Sequence, residues 1–357
     1  MFQGIYQGRR VLVTGHTGFK GSWLCAWLER LGAQIGGLAL APDQIPNHFS
    51  LLKTPLHSEI CDIRNAEKVK RILTDFQPEI VFHLAAQPLV RASCREPRET
   101  FETNVMGTVN LLEACRFTPS VRAVAVVTTD KCYANPENGK PFTEDDPLGG
   151  YDPYSASKGA AEIAAASYRS AFFSSADSPA VATARAGNVI GGGDWAQDRL
   201  IPDLIRAAAA GKAAEIRSPN AIRPWQHVLE ALSGYLSLGA ALLTGGQTFA
   251  SAWNFGPLEA EAFTVGDIIG IAKSEWDKIS CRADDKKGQV HEAARLLLDC
   301  RKAQKLLRWR SVWNTERAVR RTVRWYRGFY ENGNLITLPD LESYCADARK
   351  AGLEWAQ

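Results

Sequence analysis

Two short stretches of this chain bring together groups that can take and give protons. In Tyr154-Ser155-Ala156-Ser157-Lys158 a phenol and an ammonium lie four residues apart, one turn apart on a single face if the segment is helical. A free tyrosine has a pKa near ~10 and is a poor base at neutral pH; a cation one turn away favours the phenolate and makes it usable. The second stretch, Val127-Thr128-Thr129-Asp130-Lys131-Cys132-Tyr133, closes an apolar run with a hydroxyl, a carboxyl and an amine in succession. Either pattern arises often by chance, so its weight depends on what positions it.

The first half of the chain alternates β-branched runs with helical stretches, the rhythm of βαβ units and a parallel sheet. Strands are expected at Arg10–Thr14, Gln34–Leu40, Glu79–Leu84, Ala123–Thr129 and Val181–Arg185. Helices are expected at Phe19–Leu31, Ala66–Phe76, Glu99–Cys115 and Pro153–Ala171, each with apolar residues at three- and four-residue spacing. Past Ala186 the rhythm gives way to Gly- and Pro-bearing loops with shorter helices at Asp198–Ala210, Val228–Leu243 and Val265–Lys278, as in a smaller cap.

Between the first strand and helix, Gly15-His16-Thr17-Gly18-Phe19-Lys20-Gly21 spaces three glycines so that the turn tightens and backbone N–H groups can approach a pyrophosphate. That is a dinucleotide cradle, and the positive charge of an oxidised nicotinamide nearby would further favour a Tyr154 phenolate. A carboxylate about 20 positions on is usual for holding the ribose, but here Asp43 lies beyond Pro42. No Arg or Lys occurs from Ala33 to Leu52 to meet a 2′-phosphate, which favours NAD over NADP. Asp62 either accepts from the adenine amino group or caps the helix ahead of Ala66.

With Tyr154 and Lys158 placed after the glycine motif, the chain resembles the short-chain dehydrogenase/reductase superfamily, in its extended branch that modifies nucleotide sugars. His83-Leu84-Ala85-Ala86-Gln87, Thr103-Asn104-Val105-Met106-Gly107-Thr108 and Arg185-Ala186-Gly187-Asn188-Val189 carry the likeness, which spans nearly the whole chain. It implies an α/β fold, a Rossmann-type doubly wound parallel sheet of seven strands with a smaller C-terminal α/β cap. The expected division is residues 1–187 for NAD, rejoined by 225–254, and residues 188–224 and 255–357 for a sugar nucleotide.

The resemblance further implies which residues meet which ligand. Gly15, Thr17, Gly18, Phe19, Lys20, Gly21, Asp62, Ile63, Leu84, Ala85, Ala86 and Asn104, with Tyr154 and Lys158, fall to the dinucleotide. Gln87, Asn188, Arg199, Arg223, Asn254 and His291 fall to the substrate, Arg223 by bidentate grip on a diphosphate. His83 packs beneath the cofactor. Epimerases of the branch usually have small or hydroxyl residues after the Ser/Thr of the fifth strand, so Asp130-Lys131 looks like a 4,6-dehydratase pair. Asp130 would be the acid, Lys131 the base, and Thr129 a partner of the sugar C4 hydroxyl. Lysine at 131, with Arg223-Pro224-Trp225-Gln226-His227-Val228, is similar to dehydratases acting on cytidine-diphosphate hexoses. The product would feed deoxyhexose synthesis for surface polysaccharides such as O-antigen. Thymidine- or guanosine-diphosphate hexoses, 4-epimerisation, and a non-catalytic dinucleotide-binding regulator are the competing readings.

Bulk composition agrees with a large α/β unit. The chain has 357 residues, 45% apolar and 23% charged, with a net charge of +3 that by itself argues for no nucleic acid. Ten of the residues from Arg301 to Arg327 are basic, yet between Glu316 and Arg327 they alternate with Val319, Val323 and Trp325 in the manner of a solvated helix face. Eight cysteines without CxxC spacing suggest reduced thiols, with no metal and no disulfides. The polar first ten residues and the absence of a long uncharged apolar run lead to a cytoplasmic expectation, without a membrane. The helices at 99–115 and 153–171 form a subunit interface in the family, which implies a homodimer or homotetramer.

Overall fold

A computed structural model describes residues 1–216, 218–257, 263–283 and 296–357. The five expected strands form, and a further short one, His57–Ile60, joins them, giving in order β1 (Arg10–Thr14), β2 (Gln34–Ala39), β3 (His57–Ile60), β4 (Ile80–His83), β5 (Ala123–Val127) and β6 (Ala180–Ala186). They assemble into one seven-stranded sheet, completed by the strand Ala252–Phe255, in the order 3-2-1-4-5-6 followed by that edge strand. Every neighbouring pair runs parallel. β4, β5 and β6 are buried along their whole length, the continuous apolar character of strands covered on both faces. Strand order reverses between β1 and β4, which opens a ligand crevice at the C-terminal ends of the strands.

Helices α1 (Phe19–Arg30), α2 (Ala66–Phe76), α3 (Gly107–Arg116) and α4 (Pro153–Ala171) flank this sheet. The helix expected over Glu99–Cys115 is divided: a short helix at Pro97–Phe101, a π turn at Glu102–Met106, then α3. The π turn faces buried Asn104 inward, and such insertions recur at functional sites. α5 (Leu200–Ala209) belongs to the cap, where Ala213–Ile216 pairs in parallel with Ser280–Ala283. α6 (Val228–Gly245) is apolar on all sides and lies against β4, β5 and β6. By length and composition Val228–Phe249 could cross a membrane, but 83% of its apolar window is buried in the protein.

The C-terminal region contributes α7 (Val265–Glu275), α8 (Thr315–Asn332) and α9 (Thr337–Lys350). α9 and the residues after it pack on α1: Trp27 meets Tyr344 and Trp355, and Phe2 stacks on Trp355 at 5.2 Å. The last part of the segment expected in the cap therefore covers the dinucleotide half. One apolar core runs from Phe2 to Ala356 through both halves.

Candidate active site

β1 delivers the chain to Gly15, whose φ of +75° and contact with the loop after β4 suit glycine alone: a methyl group there would lie 2.8 Å from the Ala85 nitrogen. On Gly21 it would lie 2.1 Å from the Gly15 carbonyl oxygen, so helix and turn also touch. No side chain caps α1 at Gly18, which leaves its first N–H groups and its positive end open to the crevice. The turn thus fits a dinucleotide pyrophosphate. Thr17 braces it by donating to the Leu40 carbonyl at 2.8 Å, and Phe19 lies beneath Gly191 of the cap.

The other sites assigned to a dinucleotide are less uniform. Asp62 grips the Arg64 guanidinium at 2.6 Å, which holds its carboxyl below its usual pKa, and Asn65 rather than Asp62 caps α2. Ile63 is buried against Gly107. Leu84 and Ala85 are tied to Thr14 through their backbone N–H groups, while Ala86 is half-buried in the same loop. Asn104 is 1% exposed and used up internally: it accepts from the Gln87 N–H, and donates to the Gln87 carbonyl and to Ser157 Oγ at 2.8 Å. It clips the loop after β4 to α4, one residue before Lys158. His83 sits between Thr14 and Thr108 hydroxyls, and burial pushes it down to about 3, so the ring is neutral.

α4 starts where the sequence dictates. Asp152 caps it by accepting from the Ser155 N–H at 3.0 Å, and Pro153 fills its first turn. Tyr154 lines the crevice together with Thr129. Burial pushes the phenol up to about 12; Thr129 and then the Arg199 guanidinium oppose that shift. Arg199, gripped by Asp194 at 2.8 Å, is therefore the cation that acts most on the phenol. Lys158 donates to the Val127 carbonyl at 3.1 Å instead, and burial lowers it to about 8.

Beyond Val127 the chain turns through Thr129-Asp130-Lys131. Thr129 donates to Asp130 at 3.0 Å and accepts from the Lys131 N–H at 3.4 Å. Asp130 is 2% exposed, and burial raises its pKa against the pull of Lys131, Thr129, Arg223 and Lys20. Lys131 is half-buried at the same rim. Lys20, expected for the dinucleotide, reaches this cleft too and is lowered to about 8 by burial and by the charges of Arg199 and Lys158.

These groups share a cavity of about 820 Å³. Thr129, Asp130, Lys131 and Tyr154 line one part; Asn188, Arg199 and Arg223 line the way to a cap wall formed by α5, Ile216, Ala221 and Val265. Such a volume suits a sugar nucleotide. Two expected substrate residues are absent from its walls. Gln87 is held by Leu89 and Thr100, and Asn254 ties its strand to Phe142, Asp299 and the Tyr133 hydroxyl. Both have their hydrogen-bonding capacity committed to the scaffold. His291 lies outside the described residues. Among those described, no His, Cys, Asp or Glu cluster could hold a metal, and no cysteine is paired.

Sequence reasoning passed over Asp194, which anchors Arg199, and Glu162, which is 2% exposed in the next turn of α4 after Lys158. Glu162 had a visible signal: it is the one charged residue between Lys158 and Arg169 in an alanine-rich helix.

The comparisons with known proteins accord with this geometry. The family model described as GDP-mannose 4,6 dehydratase matches residues 12–322. A CDP-glucose 4,6-dehydratase of Salmonella typhimurium is 45% identical over 340 residues, 94% of this chain and 95% of that protein. Among solved structures, DesIV, a dTDP-glucose 4,6-dehydratase from Streptomyces venezuelae with NAD bound, superposes with a TM-score of 0.75 at 27% identity, over 90% of this chain and 97% of its own. The epimerase Mth375 of Methanothermobacter thermautotrophicus, at 22% identity, shares the fold with a TM-score of 0.80 over 92% of this chain and 96% of that one. Cradle, cleft and likeness over almost the full length converge, and the chain belongs to the GDP-mannose 4,6 dehydratase family.

Proposed function

We propose that the protein converts cytidine-diphosphate-glucose to cytidine-diphosphate-4-dehydro-6-deoxyglucose and water, with NAD as a cofactor that ends each cycle as it began. The observation that carries this reading is the meeting of Asp130, Lys131 and Tyr154 in one cavity beside a dinucleotide cradle. The 45% identity to a CDP-glucose 4,6-dehydratase supports the choice of cytidine nucleotide.

When bound, NAD supplies the chemistry of accepting the C4 hydride and returning it to C6. Tyr154 takes the proton of the C4 hydroxyl, with Thr129 beside it to hold that hydroxyl. The C4 ketone acidifies the C5 hydrogen, which Lys131 removes as a proton and gives back to C5 when C6 is reduced. Asp130, kept protonated more readily by burial, gives a proton to the C6 hydroxyl as it leaves as water. Arg223 and Arg199 hold the diphosphate.

Incubation with cytidine-, thymidine- and guanosine-diphosphate hexoses tests the substrate: a keto sugar absorbing in alkali is expected from the cytidine compound, whereas an epimerase yields none. In Lys131→Ala, oxidation at C4 should persist and elimination stop, so that reduced cofactor accumulates on the enzyme. A variant that turns over normally removes Lys131 from the mechanism.

Phe101, Met106 and Ile163 are 40%, 51% and 60% exposed on the Pro97–Met106 stretch and α4, an apolar face that supports a homodimer. Light scattering should report a smaller particle for Ile163→Asp than for the parent protein. A cytoplasmic place in deoxyhexose supply for surface polysaccharide follows from the same reading.

A further inference from the structure

Tyr154, Lys158 and Glu162 fall at successive turns of α4, on one face. The third has no part in the proposed reaction, yet it is a fully enclosed carboxylate. Thr128 Oγ1 donates to its Oε1, Thr183 Oγ1 donates to Oε2 at 2.7 Å, and Arg185 Nη2 pairs with Oε2 at 2.8 Å, with Arg185 itself 3% exposed. Arg185 is braced in turn by the Tyr133 hydroxyl at 2.7 Å and lies over the Tyr133 ring at 4.8 Å. Buried ion pairs are weak evidence for stability, because desolvation offsets the Coulomb gain. This pair stands where α4 meets the ends of β5 and β6, and Thr128 directly precedes the Thr129-Asp130-Lys131 turn.

We propose that Glu162 is a positioning residue of the active site, holding Lys158 in its cationic form from one turn away and pinning, through Thr128, the strand tip that carries Thr129 and Asp130. The inference rests on the dehydratase reading above.

The surroundings of Lys158 single out this carboxylate. From its own helix comes Glu162; from the turn after β5 comes Cys132, whose thiol burial raises far above its usual range and so keeps neutral. β5 offers the Val127 carbonyl, β4 the neutral His83, and α1 the Lys20 ammonium, which repels. Glu162 is the largest influence opposing the downward shift that burial imposes on Lys158. Arg185 on β6 pairs with Glu162 and tempers its charge without cancelling it at Lys158, which lies one turn from the carboxylate on the same helix.

The two members of this ion pair carry opposite charges, so replacing each in turn separates an electrostatic role from a structural one. With the charge of Glu162 present, Lys158 stays protonated up to about 8, and the hold on the dinucleotide expected of its cation declines as pH rises through that value. In Glu162→Gln the cation is lost earlier, so the alkaline limb of nicotinamide reduction, followed by absorbance in single turnovers with cytidine-diphosphate-glucose, should move down by about one pH unit. Arg185→Gln breaks the same ion pair and keeps the carboxylate; its limb should not move down, whatever it loses in melting temperature. If Glu162→Gln does not fold, the double variant Glu162→Gln/Arg185→Gln, which removes both buried charges, should show the downward shift. An unmoved limb in the variants lacking the carboxylate, or equal shifts in Glu162→Gln and Arg185→Gln, would overturn the role. Failure of the unaltered protein to process any sugar nucleotide would overturn the dehydratase reading and this role with it, whereas normal parent turnover with an unmoved limb in Glu162→Gln sinks the role alone.

Discussion

The cleft and the arginine-bearing helix α8 are both dense in charge, and they use it in opposite ways. On α8, Arg320 and Arg324 share Glu275, Arg321 meets Asp340, and Arg327 meets Glu331 at 3.0 Å. The ordinary carboxylate charges of Glu275 and Glu331 are reinforced, Glu331 being drawn down to about 2 chiefly by its hydrogen bond from Arg327. In the cleft burial dominates, and shifts run toward neutrality: Asp130 up, Lys20 and Lys158 down to about 8. Groups poised between charge states can exchange protons, while fully paired ones cannot, which marks Asp130, Lys20 and Lys158; burial and not location sets the direction, since enclosed Asp340 beside Arg321 is also pushed up to about 6 while Asp194 raises Arg199 in the cleft.

Three substitutions put that contrast at risk. Tyr154→Phe removes the proposed base and little volume; kcat should fall by about 10³-fold with an unchanged melting temperature, and full turnover would mean that the cleft does not work as described. Arg223→Gln removes a cation that faces the cavity while leaving the proton-transfer groups in place. Its KM for the sugar nucleotide should rise about tenfold in steady-state assays, with kcat nearly unaltered; an equal fall in kcat would move Arg223 into the chemistry. Arg327→Gln, on the exposed face of α8, should change neither rate constant and should shift the melting temperature by only about 1 °C, as surface pairs do. A large loss there would erase the distinction between the two regions.

Much of the scaffold could be read from local pattern. β1, β5 and β6 announced themselves as short β-branched runs, and α4 by apolar residues at three- and four-residue spacing. The edge strand Ala252–Phe255 did not, since four residues between a 3-10 turn and a loop carry no periodicity; it exists because β6 offers an unpaired edge. The π turn at Glu102–Met106 escaped for a similar reason, as one extra residue per turn hardly disturbs an apolar pattern. In the site, Tyr154, Asp130 and Lys131 were legible because motif and element coincide. Asn254 and Gln87, expected to meet substrate, are found bonded within the scaffold, because a side-chain amide looks the same in sequence whether it serves a ligand or a distant carbonyl.

Sequence alone determined the α/β class and the glycine turn and singled out the candidate proton-transfer groups, because each depends on residues adjacent in the chain or one helical turn apart. Which cation acts most on the Tyr154 phenol, why Lys158 is drawn toward neutrality and what Glu162 touches were decided only by tertiary structure. Burial and pairing across β5, β6 and α4 depend on segments brought together from distant parts of the chain, and no local spacing encodes the distance between them.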